Sequence, residues 1–323
     1  MRAYLNLLHK ILTEGEKSIN ERTGEGTIGI FQEQSKFMLI EGLPILTTKP
    51  VYWNGVVEEL LWFLRGETNI RPLLQKKVGI WSSDALRFNL AKIVDSNLIT
   101  YEEVEMAQRE AKEKRNYSPA RDLLRRFEVR ILEDEDFAYR AGELGPVYGA
   151  QWRGKSPTQT IDQLAILEEA LARRKYNRRL IVNAWNPQDR DRMALPPCHY
   201  AWQVNISPES QKLTLGWNQR SCDTILGVPF NIASYGLLAH LLAHTHGYGL
   251  GELVGKFEDL HIYLPHLDAA KEQLSREPKT LPKVEISTKK SSVAEYDSSE
   301  IKLVGYSPHS KLQSPTPMFG GFF

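Results

Sequence analysis

The sequence predicts an α+β fold in which a large mixed sheet is packed with helices. Three features predict it. Residues 200–206 and 213–217 alternate apolar with polar positions and are joined by Ser207-Pro208-Glu209-Ser210, so they form an antiparallel pair with one apolar face. Apolar helical runs lie on both sides of this pair in the chain, at 55–64 and 230–246. The remaining short strand-like and helix-like pieces are interleaved without strict strand–helix–strand alternation.

From the N-terminus, Tyr4, Leu5, Leu8, Ile11 and Leu12 recur at helical spacing, as on the buried side of a first helix. The run GVVEELLWFL at 55–64 is a short helix stopped by Arg65-Gly66. Between Tyr101 and Arg140, nine basic and eleven acidic residues occupy half of 40 positions. Apolar residues there (Val104, Met106, Leu123, Leu124, Phe127, Val129 and Ile131) are sparse. The stretch 86–141 therefore reads as a charged, helical, surface-lying insertion within one domain spanning 1–323. A helix is predicted at 161–174 and a buried strand at 180–185; the long helix at 230–246 ends at Gly247. Short strands are expected at 284–286 and 301–304.

Composition narrows the function. The 323 residues carry 41 Lys+Arg against 40 Asp+Glu, a net charge of +1. That balance excludes a general polyanion-binding coat or a polybasic membrane surface, so no nucleic acid is required and any bound anion must be held by a local cluster. Two cysteines cannot form a disulfide framework, and no CxxC pair suggests zinc. No apolar run approaches ~18 residues and the N-terminus lacks a signal-peptide pattern, so a reduced, cytoplasmic protein is expected.

Several motifs have a bland reading and a chemical one. Gly24-Glu25-Gly26-Thr27-Ile28-Gly29 matches a dinucleotide motif but runs into a strand-like alternation, so it reads as a turn. His240, His244 and His246 lack the Glu and the third ligand of a metal site and read as helix-end and packing residues. Glu59, beside Glu58, shares a helical face with Val56, Trp62 and Phe63. It is either half of a buried salt bridge or a carboxyl raised toward proton-shuttling range. Cys198 follows Pro196-Pro197, which gives its thiol a defined direction, and the hairpin can bring Arg220 alongside. Cys222 reads as packing. A guanidinium favours the thiolate; Arg22, Arg178, Arg179 and Arg220 with Ser221 form a phosphate cluster without a Gly-rich loop. The pattern points to covalent chemistry on a phosphorylated small molecule.

Long motifs then resemble one family. The run 144–153 (LGPVYGAQWR), Pro-Pro-Cys-His, and 219–235 (QRSCDTILGVPFNIASY) closely resemble the folate-dependent thymidylate synthases, which use a cysteine nucleophile. So do Arg22-Thr23-Gly24, 59–64, 259–263 and 305–309; the match runs from residue 1 to about 310 except for the insertion. The resemblance implies that Cys198 attacks carbon 6 of dUMP, activating carbon 5 toward the one-carbon unit of 5,10-methylenetetrahydrofolate, with no metal. Arg22, Gln219, Arg220 and Ser221 would bind the nucleotide, with Arg178 and Arg179 donated across the sheet-face interface of a homodimer. His261 and Tyr263 would hold the ribose, and Glu59 and Tyr148 would manage protons. Trp81, Asp223, Leu226, Gly227 and Phe230 would line the folate site. Asn231 would read the pyrimidine edge, where cytosine-specific relatives carry Asp.

This chain departs from the family at its end (317–323), at Asn218 (usually Tyr), at Ser82-Ser83-Asp84, which lacks a second Trp, and at Glu258 and Pro265. The altered tail and Asn218 leave open hydroxymethylation of dUMP, with tetrahydrofolate as the other product. A catalytically silent nucleotide- or RNA-binding module would require loss of Cys198, Glu59 or Asn231, and all three are present.

Overall fold

A computed structural model describes residues 1–19, 24–114, 116–175 and 177–312. Its sheet is built from β1 (Glu16–Ile19), β2 (Gly26–Met38), β3 (Ile181–Asn183), β4 (His199–Ile206), β5 (Lys212–Asp223) and β6 (Gly249–Tyr263), in the order β1-β2-β6-β5-β4-β3. The expected hairpin is β4–β5, in antiparallel register with Trp202 opposite Trp217, Val204 opposite Leu215 and Ile206 opposite Leu213. These are the buried positions, so the period-2 pattern sets both the pairing and the inward face. β5 and β6 are parallel, which their connection through a helix permits. β7 (Lys283–Ile286) and β8 (Ile301–Val304) form a separate antiparallel pair.

The helices are α1 (Arg2–Glu14), α2 (Trp53–Arg65), α3 (Arg71–Gln75), α4 (Ser82–Phe88), α5 (Leu90–Asp95), α6 (Tyr101–Lys114), α7 (Ser118–Glu133), α8 (Glu135–Ala141), α9 (Tyr148–Trp152), α10 (Gln163–Ala172), α11 (Gly227–His246) and α12 (Leu267–Leu274). α11 is buried along nearly its whole length and contacts β5, β6 and α2. It stops at Gly247, whose φ of +68° is the left-handed conformation glycine adopts cheaply. α2 places Val56, Leu60, Trp62 and Phe63 in the core.

Two expectations need adjustment. The strand predicted at 180–185 is the edge strand β3, and only one of its faces is buried, through Leu180, Val182 and Ala184, while Ile181, Asn183 and Trp185 are exposed; a short apolar run does not reveal whether one face or two are covered. In the charged segment, Val104, Leu123, Phe127 and Ile131 are buried and join the same continuous apolar cluster as the sheet, while Met106 and Val129 stay exposed. The i, i+4 and i, i+8 spacing of Leu123, Phe127 and Ile131 gives α7 one packed stripe, so the segment is held more closely than sparse composition suggests. Among the described residues no helix is long and apolar enough to cross a membrane.

Candidate active site

Cys198 stands at the end of a loop that starts near Asn186, one residue before β4, and β4 carries an irregularity in register between His199 and Ala201. Arg220, on the partner strand β5, grips the end of that loop. Its Nε donates to Pro197 O at 2.9 Å and its Nη2 to Pro196 O at 2.8 Å, and Nη2 lies 4.0 Å from Cys198 Sγ. The backbone N–H of Arg220 also donates to Cys198 O at 2.8 Å. The two prolines supply no N–H, and their carbonyls become the anchor that turns the guanidinium toward the sulfur. A cation there favours the thiolate. Cys222 is different: it is fully buried, its thiol donates to Gln219 O at 3.3 Å, and burial pushes its pKa far up.

The other side of Cys198 is aromatic. Its N–H donates to the Tyr148 hydroxyl oxygen at 2.8 Å, and the Tyr148 ring stacks on His199 at 4.2 Å. His199 Nδ1 bonds the Tyr235 hydroxyl at 2.8 Å. Burial holds the imidazole down at about 3, so it is neutral at pH 7. α9, which carries Tyr148, lies so close to α2 that a Cβ on Gly149 would meet Phe63 O at 2.5 Å. On α2, Glu59 accepts from Trp81 Nε1 at 2.8 Å. Burial pushes the Glu59 carboxyl up to about 7, only partly offset by that indole bond. The salt-bridge reading belongs instead to its neighbour Glu58, 3.8 Å from Lys76.

Further along β5, Gln219 Nε2 donates to Asn231 Oδ1 at 3.0 Å while Trp217 Nε1 donates to Gln219 Oε1 at 3.1 Å. The chain of amides fixes which end of Asn231 points away: its NH₂. Ser221 pairs with Asp259 across β5–β6. His261 Nδ1 bonds Asp259 Oδ1 at 3.2 Å, and the rings of His261 and Tyr263 meet edge-on at 5.3 Å. Burial opposes a charge on His261, but the Asp259 carboxylate outweighs it and raises the pKa.

At the start of α11, Asp223 Oδ1 accepts the N–H groups of Ile225 and Leu226 at 3.0 and 3.1 Å, which shapes the turn. Leu226, Gly227 and Phe230 are only half-buried there. Trp81 is buried against Trp62, Phe63 and Tyr148.

Cys198, Tyr148 and Arg220 thus converge, as do Glu59 with Trp81 and Gln219 with Asn231. Arg178 and Arg179 do not join them within one chain. They are exposed beside β3 and line a cavity of about 550 Å³ with Gln163, Leu180 and Ile181, a lining that contains none of the residues around Cys198. Arg22 lies outside the described residues, as does the 317–323 tail. Of the glycine motif expected to be a turn, only Gly24 and Glu25 are coil; Gly26–Gly29 already belong to β2. His240, His244 and His246 bond Gly236 O, Thr288 O and Glu168, and among the described residues no group of three potential ligands could hold a metal. The sequence reading gave no role to His199, Tyr235, Asp259 or Lys49, a buried lysine that donates to Ile225 O and that burial lowers to about 8. Adjacency of His199 to Cys198 and the i, i+2 spacing of Asp259 and His261 on one strand face were the available signals.

Comparison with known proteins places the whole chain in one family. A family model described as thymidylate synthase matches residues 2–318. The thymidylate synthase of Listeria monocytogenes serotype 4b is 44% identical over 321 residues, covering 98% of this chain and 99% of its own. That of Listeria innocua serovar 6a is 44% identical over 323 residues, with the same coverage.

Proposed function

The chain belongs to the thymidylate synthase family, and from that premise we propose how its own residues carry the reaction. The activity is methylation of dUMP at carbon 5 to give dTMP, with 5,10-methylenetetrahydrofolate as co-substrate. Hydroxymethylation is not favoured, because relatives that match almost end to end carry the synthase name.

The observation that carries the residue assignment is Arg220, which holds the carbonyls of Pro196 and Pro197 and faces the Cys198 sulfur. Cys198 adds to carbon 6 of the uracil, and the electron pair moves onto carbon 5 and the carbonyl oxygen. The Asn231 NH₂ stabilises that oxygen as charge builds. Glu59, poised at about 7, exchanges protons near the pyrimidine, and Tyr148 offers its hydroxyl proton because its oxygen already accepts from Cys198. Arg220 and Ser221, with Arg22, hold the 5′-phosphate, and His261 and Tyr263 the ribose. The folate supplies the one-carbon unit and the reducing hydride. The half-buried Leu226 and Phe230 suit the faces of a flat ring system, Gly227 allows close approach, Asp223 suits its N–H donors, and Trp81 backs the site.

We further propose a homodimer in which Arg178 and Arg179 complete the partner's phosphate site. Their exposure beside β3, and the exposed Ile19, Phe31 and Ile181 on strands of the large sheet, support this arrangement. The chain acts as one catalytic domain with 86–141 as its charged helical segment, and two cysteines outside any disulfide suit the cytoplasm. Product analysis tests the function: purified enzyme converts dUMP to dTMP with dihydrofolate formed in equal amount, and Cys198→Ala abolishes turnover. Hydroxymethyl-dUMP with tetrahydrofolate as the products would contradict it.

A further inference from the structure

One fully buried carboxylate has no part in the steps above. Asp189 has no exposed surface and sits in the loop that ends at Cys198. Its Oδ2 accepts from Gln151 Nε2 at 2.8 Å, from Asn186 Nδ2 at 3.0 Å and from the Ser156 hydroxyl. The nearest cation, Arg192, is 3.9 Å from Oδ1 and more than half exposed. Burying an anion with mainly neutral donors costs several kcal/mol unless every donor is well placed. Burial alone would raise its pKa, but the Ser156 and Gln151 bonds hold it below its ordinary range, so it is charged at pH 7.

The donors come from three separate places: α9, the turn after it, and the loop itself. Gln151 is three residues after Tyr148 on α9, and the same Nε2 also donates to Pro146 O at 3.0 Å. Asn186 Nδ2 reaches Gln151 Oε1 at 3.2 Å. The backbone joins in: Ala194 N–H donates to Leu144 O at 2.8 Å. Gly145, at φ +72°, lets Arg192 O approach to where a Cβ would lie 2.0 Å away. The loop is therefore tied to one short helix at two points, through Asp189 near its start and through Cys198 at its end.

We infer that Asp189 is a positioning residue for the nucleophile, setting the reach of Cys198 by bracketing its loop against the helix that carries Tyr148. The inference rests on Cys198 being the nucleophile. A displaced sulfur would slow addition to carbon 6 far more than it weakens nucleotide binding, because the proposed base and ribose contacts, and Arg220 and Ser221 among the phosphate contacts, lie on β5, α11 and β6 rather than on the loop.

The test is the rate of covalent adduct formation with a 5-fluorinated dUMP and methylenetetrahydrofolate, normalised to titrated active sites, in Asp189→Asn and Ser156→Ala. Asp189→Asn should lower this rate and kcat together by about 10- to 100-fold, with KM for dUMP changed less than about threefold. Ser156→Ala, which removes one donor and keeps the charge, should move both in the same direction by a smaller factor. It decides the matter if Asp189→Asn does not fold. A wild-type adduct rate in a folded variant overturns the inference. A wild-type adduct mapped away from Cys198 overturns the nucleophile assignment instead.

Discussion

The Tyr148 hydroxyl oxygen accepts the backbone N–H of Cys198 at 2.8 Å. One phenol thereby positions the backbone of Cys198, and in the proposed reaction its own proton remains available for the nucleotide. Tyr148→Phe should do two things at once. It leaves a part-buried N–H unpaired, at a cost of about 1 kcal/mol seen in urea unfolding, and it lowers kcat by more than KM changes. Unchanged stability would mean that water replaces the phenol.

Glu59 makes a prediction about pH. Its carboxyl sits at about 7 in the folded chain against 4.5 ordinarily. Below about pH 4.5 folded and unfolded chains both hold the proton. As pH rises toward 7 the unfolded chain loses it first, so folding stability falls across that window, by on the order of 3 kcal/mol. Glu59→Gln escapes this loss and should be more stable than wild type at pH 8, yet similar near pH 4, while kcat drops by about 100-fold or more. His199 works in the opposite sense. Held at about 3 against 6.5, it adds stability as pH rises between those values. The Gln variant should therefore show a steeper rise in stability between about pH 4.5 and 6.5 than wild type. Thermal melts across pH check both; a variant no more stable at pH 8 contradicts the burial argument.

Asn231 is oriented by Gln219, so its NH₂ faces the open side. Asn231→Asp replaces a donor with an acceptor there. dUMP turnover should fall by about 100-fold or more, and the preference should move toward dCMP, whose amino group can donate to the new carboxylate. Competition between the two nucleotides, with each product quantified, checks the direction of the shift.

The placement of Arg178 and Arg179 away from the Cys198 cluster in one chain makes their role separable. Cys198→Ser and the double variant Arg178→Ala/Arg179→Ala should each be inactive or nearly so as homodimers. Mixed after unfolding and refolding together, they should recover up to about a quarter of wild-type sites, since half the dimers are hybrid and one site in each is whole. No recovery on mixing would place the arginines in service of their own chain.

How much of this was legible beforehand differs from element to element. The β4–β5 hairpin was readable because Trp202, Val204 and Ile206 face Trp217, Leu215 and Leu213 in strict alternation. Arg220 beside Cys198 followed from that register. The Asp189 network was not readable, because its partners Gln151, Ser156 and Asn186 are drawn together only by loop geometry that carries no periodicity. Helical spacing singled out Glu59 over Glu58 but left its salt-bridge and proton-shuttle readings open; one helical step sends Glu59 to Trp81 and Glu58 to Lys76. The strand at 180–185 was expected to be buried, but it is buried on one face only, and its place at the sheet edge carried no signal in the sequence.

The measurement that bears most directly on the account is peptide mapping of the wild-type enzyme trapped with the 5-fluorinated dUMP and methylenetetrahydrofolate. The account predicts one nucleotide per active site, carried through Cys198, with none on Cys222, whose buried thiol is held protonated. Failure to trap any adduct, or an adduct carried by another residue, would contradict it.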